Sequence, residues 1–256
     1  MVTPRITLLL VDDHTIVRQG FRQLLELEGD FTILGEAQEG REAVRLVHKL
    51  HPTVVLMDIA MPLLNGLEAA RQLRVQEPST RIIMLSAHSD DAYVNGAIDA
   101  GAAGFLQKQT SAEELCQAIR TVAQGGRHFS PKVSKRLDRL NSEFPGKAGS
   151  TKRKVVSLTS REMEVLQLIA EGKANKETAA ELGIGMKTVE KHRDHLMKKL
   201  DIHDTAGLTR YAIGAGIIES CVQLTIEGDT DRNQTASPSN ASATRRAVSV
   251  GKHPMG

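Results

Sequence analysis

The chain has no tryptophan and little aromatic content: phenylalanine and tyrosine together make up 3% of its 256 residues. Its cores must therefore be aliphatic, built from Leu, Ile, Val, Ala and Met, which suits α/β and helical domains. Cysteine is scarce as well, with Cys116 and Cys221 far apart and in no CxxC or Cys/His cluster. That spacing excludes a disulfide framework and a thiolate zinc site, and it fits a reducing cytoplasm. Long hydrophobic runs are missing too. No window approaches the roughly 18 apolar residues of a membrane span, and the early run over residues 6–11 is too short for a signal segment. A protein of the cytoplasm with no membrane association is expected.

Net charge is only +2, yet it is unevenly spread. The first 125 residues hold 11 Lys+Arg against 16 Asp+Glu, and the remainder 22 against 15. An acidic front half suits a metal or phosphoryl site, and a basic rear half suits a polyanion partner. Length points to two domains of ordinary size with connectors.

Short aliphatic runs alternate with amphipathic helical patterns over residues 1–125, the signature of βα units and a parallel sheet. Strands are expected near residues 6–11, 31–36, 53–57, 81–85 and 103–106. Helices are expected near 14–28, 39–50, 65–75, 90–100 and 111–124. Pro52, Pro62, Asn65-Gly66, Pro78 and Gly125-Gly126 punctuate the pattern. Residues 126–157 read as a linker, with a short helix near 130–140 opened by Ser130-Pro131 and a flexible, basic Gly/Ser/Lys/Pro stretch from 141 to 157. A second domain is expected over 158–220. Thr159 and Glu162 form a capping box, and helices fit to Gly172, then 175–182, 186–200 and 204–215. Gly183 and Gly185 break the second of these from the third, as in a helix-turn-helix. Residues 221–256 are polar and read as a disordered tail.

Asp12 and Asp13 end the first apolar run, and Asp58 ends the run over 54–57. In a parallel sheet these carboxylates meet at the C-terminal strand ends, where open α/β sheets place their ligands. Such a concentration of negative charge calls for a hard cation such as Mg²⁺. Ser86 and Lys108, after two further strand runs, add a hydroxyl and an ammonium, completing a phosphoryl-binding set. Asp58 is the expected acceptor because it ends the central strand. Asp12 and Asp13 would hold the metal, Lys108 would pair with phosphoryl oxygens and Ser86 would donate to them. Taken singly, an Asp after a strand is usually a helix cap and a Lys is usually solvated. Four strand ends with the needed residue types make the joint reading the stronger one.

The motifs VDDH (11–14), LMDIAMP (56–62), NGLEA (65–69), LSAH (85–88) and GFLQK (104–108) resemble a response-regulator receiver domain. The resemblance covers residues 5–124. It implies a flavodoxin-like five-stranded sheet in the order 2-1-3-4-5, phosphorylation of Asp58 by a sensor histidine kinase, and a metal shell of Asp12, Asp13, Asp58 and the Ala60 backbone carbonyl. It also implies a switch pair, Ser86 and Phe105. Ala60 and His88 occupy the two positions that tune hydrolysis in the family, and Ala60 offers no group to position water.

Residues 158–200, LTSREMEVLQLIAEGKANKETAAELGIGMKTVEKHRDHLMKKL, resemble the LuxR-type helix-turn-helix of NarL/FixJ-family response regulators. An all-α four-helix DNA-binding domain follows from the resemblance. Val189, Leu196 and Leu200 form an inward stripe, while Glu190, Lys191, Asp194 and Lys198 project outward. By family position Glu190, Lys191 and Asp194 would face base edges. Lys176, Thr188, Arg193 and Lys198 would contact phosphates.

These readings converge on a cytoplasmic two-component transcription regulator that is not an enzyme. Its partners would be a sensor histidine kinase and double-stranded DNA, bound as a homodimer when phosphorylated. The unphosphorylated receiver would cover the recognition helix. Leu208, Tyr211 and Ala212, near 204–215, would supply dimer contacts. An aspartyl phosphatase is the competing enzyme class, but it places a second Asp two residues after the nucleophile, where this chain has Ala60. A receiver that acts through protein contacts alone would leave the basic helix unused, and salt-dependent DNA binding separates it from the first reading.

Overall fold

A computed structural model describes residues 5–88, 91–131, 133 and 158–218. The expected helix near 130–140, the stretch 141–157 and the tail 221–256 lie almost wholly outside the described residues. Strands β1 (Ile6–Val11), β2 (Phe31–Ala37), β3 (Val54–Asp58), β4 (Arg81–Ser86) and β5 (Gly104–Gln107) alternate with helices α1 (Thr15–Glu26), α2 (Gly40–Leu50), α3 (Gly66–Gln76), α4 (Asp91–Ala100) and α5 (Ala112–Ala123). The five strands form one parallel sheet in the order β2-β1-β3-β4-β5.

The period of two in each strand divides the apolar residues between two cores. Leu9, Val11, Val55, Met57, Ile82 and Met84 face one layer, with buried side chains from α2, α3 and α4. Leu8, Leu10, Val54, Leu56, Ile83 and Leu85 face the other, against α1 and α5. Both faces are covered, so the central strands are continuously apolar rather than alternating. After α5 the chain returns along the edge strand, where Phe105 N donates to His128 O and His128 N to Ala103 O, at 3.0 and 2.9 Å. This return blunts the free edge of β5.

Four further helices follow: α6 (Ser160–Ala170), α7 (Asn175–Leu182), α8 (Met186–Leu200) and α9 (Thr205–Gly214). Thr159 caps α6 with the expected reciprocal bonds to and from Glu162. Gly183, at φ +61, ends α7 in the left-handed conformation and lets the chain turn into α8. The core of this part holds Val165, Leu166, Leu168, Ile169, Leu182, Leu196, Leu208 and Ala212. Leu208 and Ala212 are fully buried and Tyr211 packs against them. This corrects the expectation that this stripe supplies dimer contacts: four short helices need that face to close their own core.

Candidate functional site

β1, β3, β4 and β5 end on one edge of the sheet, and their register brings the expected residues together there. Asp58 lies beside Leu85, and Ser86 beside Gln107, the residue before Lys108. Asp12, Asp58 and Ser86 are almost fully buried, at 2%, 1% and 1% exposure. The Lys108 ammonium lies 2.8 Å from Asp58 Oδ2 and 3.0 Å from Asp12 Oδ2. Asp12, Asp13, His14 and Asp58 each offer a ligand atom within 4.8 Å of the others.

One ammonium does not balance this group. Burial, with Asp12 and Asp13 adding repulsion and Lys108 opposing it, pushes the Asp58 carboxyl up to about 7. Burial also works against the charge on Lys108, but Asp58 and Asp12 more than offset it, so its pKa is raised. Asp58 Oδ1 is buried and accepts no hydrogen bond among the described residues. A buried carboxylate oxygen left unpaired is costly. A hard divalent cation fits these carboxylate oxygens in charge and in donor type. His14, which the sequence reading did not single out, places Nδ1 2.8 Å from Asp13 Oδ1, while its backbone N–H donates to Asp12 Oδ1.

The remaining receiver residues lie close by. Ser86 Oγ accepts from His88 N at 3.0 Å, and the His88 ring stacks on Tyr93 with centroids 5.6 Å apart. Phe105 is partly buried against the core on the α2/α3/α4 side. Ala60 lies in the β3–α3 loop, which is folded by bonds from Met61 N and Gly66 N to Ile59 O and from Leu64 N to Pro62 O.

On the second domain Lys176, Thr188, Glu190, Lys191, Asp194 and Lys198 are exposed, while Val189 and Leu196 are buried. Arg193 differs from the rest: it is half-buried, and its guanidinium donates to Asn175 Oδ1 at 3.1 Å and Thr205 Oγ1 at 3.2 Å. It ties α7 and the start of α9 to α8. The basic outward face of α8 is open, which corrects the expectation that the receiver covers it. The receiver instead docks on α6, on the end of α7 and on the segment after α9. Gln167 Nε2 donates to Met61 O at 2.8 Å, and Asn65 N donates to Gln167 Oε1 at 2.9 Å. Leu63 N donates to Glu171 Oε1, Asn65 Nδ2 to Ile217 O, and Arg41 to Glu181 O. Leu63 also packs against the helical core, and these contacts select α6 over α8. The sequence held one signal for this interface: Gln167 is a polar residue inside an otherwise apolar run over 165–169.

Comparison with known proteins gives two family matches, the response regulator receiver domain over residues 8–120 and the bacterial regulatory proteins of the luxR family over residues 156–212. The transcriptional regulatory protein DegU of Brevibacillus brevis is 36% identical over 211 residues, spanning 78% of this chain and 89% of DegU. LiaR of Bacillus subtilis is 41% identical over 208 residues, spanning 81% of this chain and 96% of LiaR. Among solved structures, the RcsB response regulator of Salmonella typhimurium shares the fold at a TM-score of 0.56 and 24% identity, over 83% of this chain and 99% of that one.

Proposed function

Because the chain belongs to the LuxR-type family of DNA-binding two-component response regulators, we propose that Asp58 accepts a phosphoryl group from a sensor histidine kinase and that this controls DNA binding. The observation that carries the reading is the buried Asp58 carboxylate, paired on one oxygen with Lys108 and unpaired on the other. In the transfer, a bond from an Asp58 oxygen to phosphorus forms as the bond from phosphorus to the donor nitrogen breaks. Lys108 pairs with the phosphoryl oxygens and holds Asp12 in place, and the Ser86 hydroxyl turns from accepting His88 N–H to donating to the phosphoryl group. Mg²⁺, held by Asp12, Asp13, Asp58 and the Ala60 carbonyl, would neutralise the negative charge that accumulates at the site.

Residues 1–125 act as the receiver, 126–157 as connector and 158–220 as the DNA-binding unit, in a cytoplasmic protein. Glu190, Lys191 and Asp194 read base edges, and Lys176, Thr188 and Lys198 contact phosphates. Phosphorylation frees the DNA-binding unit from the receiver, and a dimer places two recognition helices on paired half-sites. Selection from genomic DNA fragments, with and without acetyl phosphate and Mg²⁺, tests the reading. Donor-enhanced, sequence-selective and salt-dependent binding that vanishes in Asp58→Ala is expected. Failure to bind any fragment contradicts it.

A further inference from the structure

The β3–α3 loop, residues 59–65, belongs to two sites at once. It leaves β3 directly after Asp58 and carries Ala60, and it is also the surface on which α6 docks. Gln167 is 1% exposed and spans the loop: its amide nitrogen binds the carbonyl of Met61 and its amide oxygen binds the N–H of Asn65. Between those two anchors Leu63 has φ +67, a left-handed conformation that a leucine adopts only against strain. Its N–H is held by Glu171 at 3.1 Å and its side chain by the helical core. The loop's own bond from Leu64 N–H to Pro62 O, at 2.8 Å, spans Leu63, but the contacts to its N–H and to its side chain come from the DNA-binding domain.

We infer that Gln167, with Glu171, is a positioning residue for the phosphoacceptor site from the other domain: it clamps the β3–α3 loop in a strained form that opposes Mg²⁺ and phosphoryl loading. The inference rests on the proposed function. If loading releases the domain, then docking must weaken loading by the same factor, because coupling between two equilibria is reciprocal. The loop is the physical link, since the same residues cannot both hold the docked, strained form and relax around a cation.

Magnesium titration calorimetry on the full chain tests this with two variants of opposite sign. Gln167→Ala removes both anchors and is expected to tighten Mg²⁺ binding three- to tenfold, with faster amide exchange over residues 61–65. Glu171→Gln keeps an acceptor for Leu63 N–H but removes a half-buried charge, so the clamp tightens and Mg²⁺ binding weakens. A residue that only supports the fold would not move the affinity in opposite directions. Equal Mg²⁺ affinity in the wild type and both variants overturns the clamp and leaves the pocket reading intact. Mg²⁺ binding in none of the three overturns the pocket reading and the clamp with it.

Discussion

Asp58 is the most informative residue in the sequence, and in the structure burial and the neighbouring carboxylates work against its charge. Its carboxyl, pushed up to about 7 from an ordinary 3.8, makes its charge a liability to the fold above neutral pH. Asp58→Asn is therefore expected to be more stable than the wild type by ~1–3 kcal/mol at pH 8 without divalent cations. The folded wild type takes up a proton as pH falls through about 7, so the gap closes between there and 3.8. Urea denaturation at several pH values in a chelator measures it, and a constant gap would contradict the assignment of cause. Asp12, Asp13, Ser86 and Lys108 were legible in the sequence because each follows an apolar run, and strand ends in a parallel sheet converge. His14 was not, because a histidine next to two aspartates has no periodicity to place its side chain. Gln167 stood out in its apolar run, but neither it nor Glu171 could be assigned a partner, because a polar residue on a helix says nothing about which remote loop will satisfy it.

Elements follow the sequence more closely than sites do, since aliphatic runs and helical stripes carry their own periods. All five strands and nine of the expected helices lie within a few residues of their expected positions. The turn chemistry is equally local: Gly66 opens α3 where a Cβ would overlap the carbonyl oxygen of Asp58. Gly66→Ala should cost about 1–3 kcal/mol through that overlap and lower the urea midpoint. The outward face of α8 separates into two kinds of residue. Lys198→Ala should weaken binding to all DNA sequences and reduce the salt slope by ~1, whereas Lys191→Ala should relax sequence preference. Binding isotherms on matched and mismatched duplexes at several salt concentrations distinguish them. Arg193→Ala, by contrast, should lower the melting temperature as well, because its guanidinium ties Asn175 and Thr205 together.

At the scale of the whole molecule the receiver and the helical domain meet through polar groups and the Leu63 side chain, not through a covered recognition helix. Beyond the polar Gln167 in an apolar run, the sequence did not show this docking, because scattered hydrogen bonds and one leucine make no periodic pattern to read. Burial at the interface raises Glu171 above its ordinary value of 4.5. The docked form therefore binds a proton more readily than the open one. Docking should strengthen as pH falls through the raised value towards 4.5 and weaken above it, and Glu171→Gln should flatten that dependence. Protease cleavage rates between the domains across pH report it. The central claim is that phosphorylation at Asp58 releases the domain held on α6. Hydrogen–deuterium exchange over residues 59–66 and 160–171, before and after loading with acetyl phosphate and Mg²⁺, tests it most directly. The account predicts faster exchange in both segments on loading, absent in Asp58→Asn; unchanged protection in a fully phosphorylated protein would contradict it.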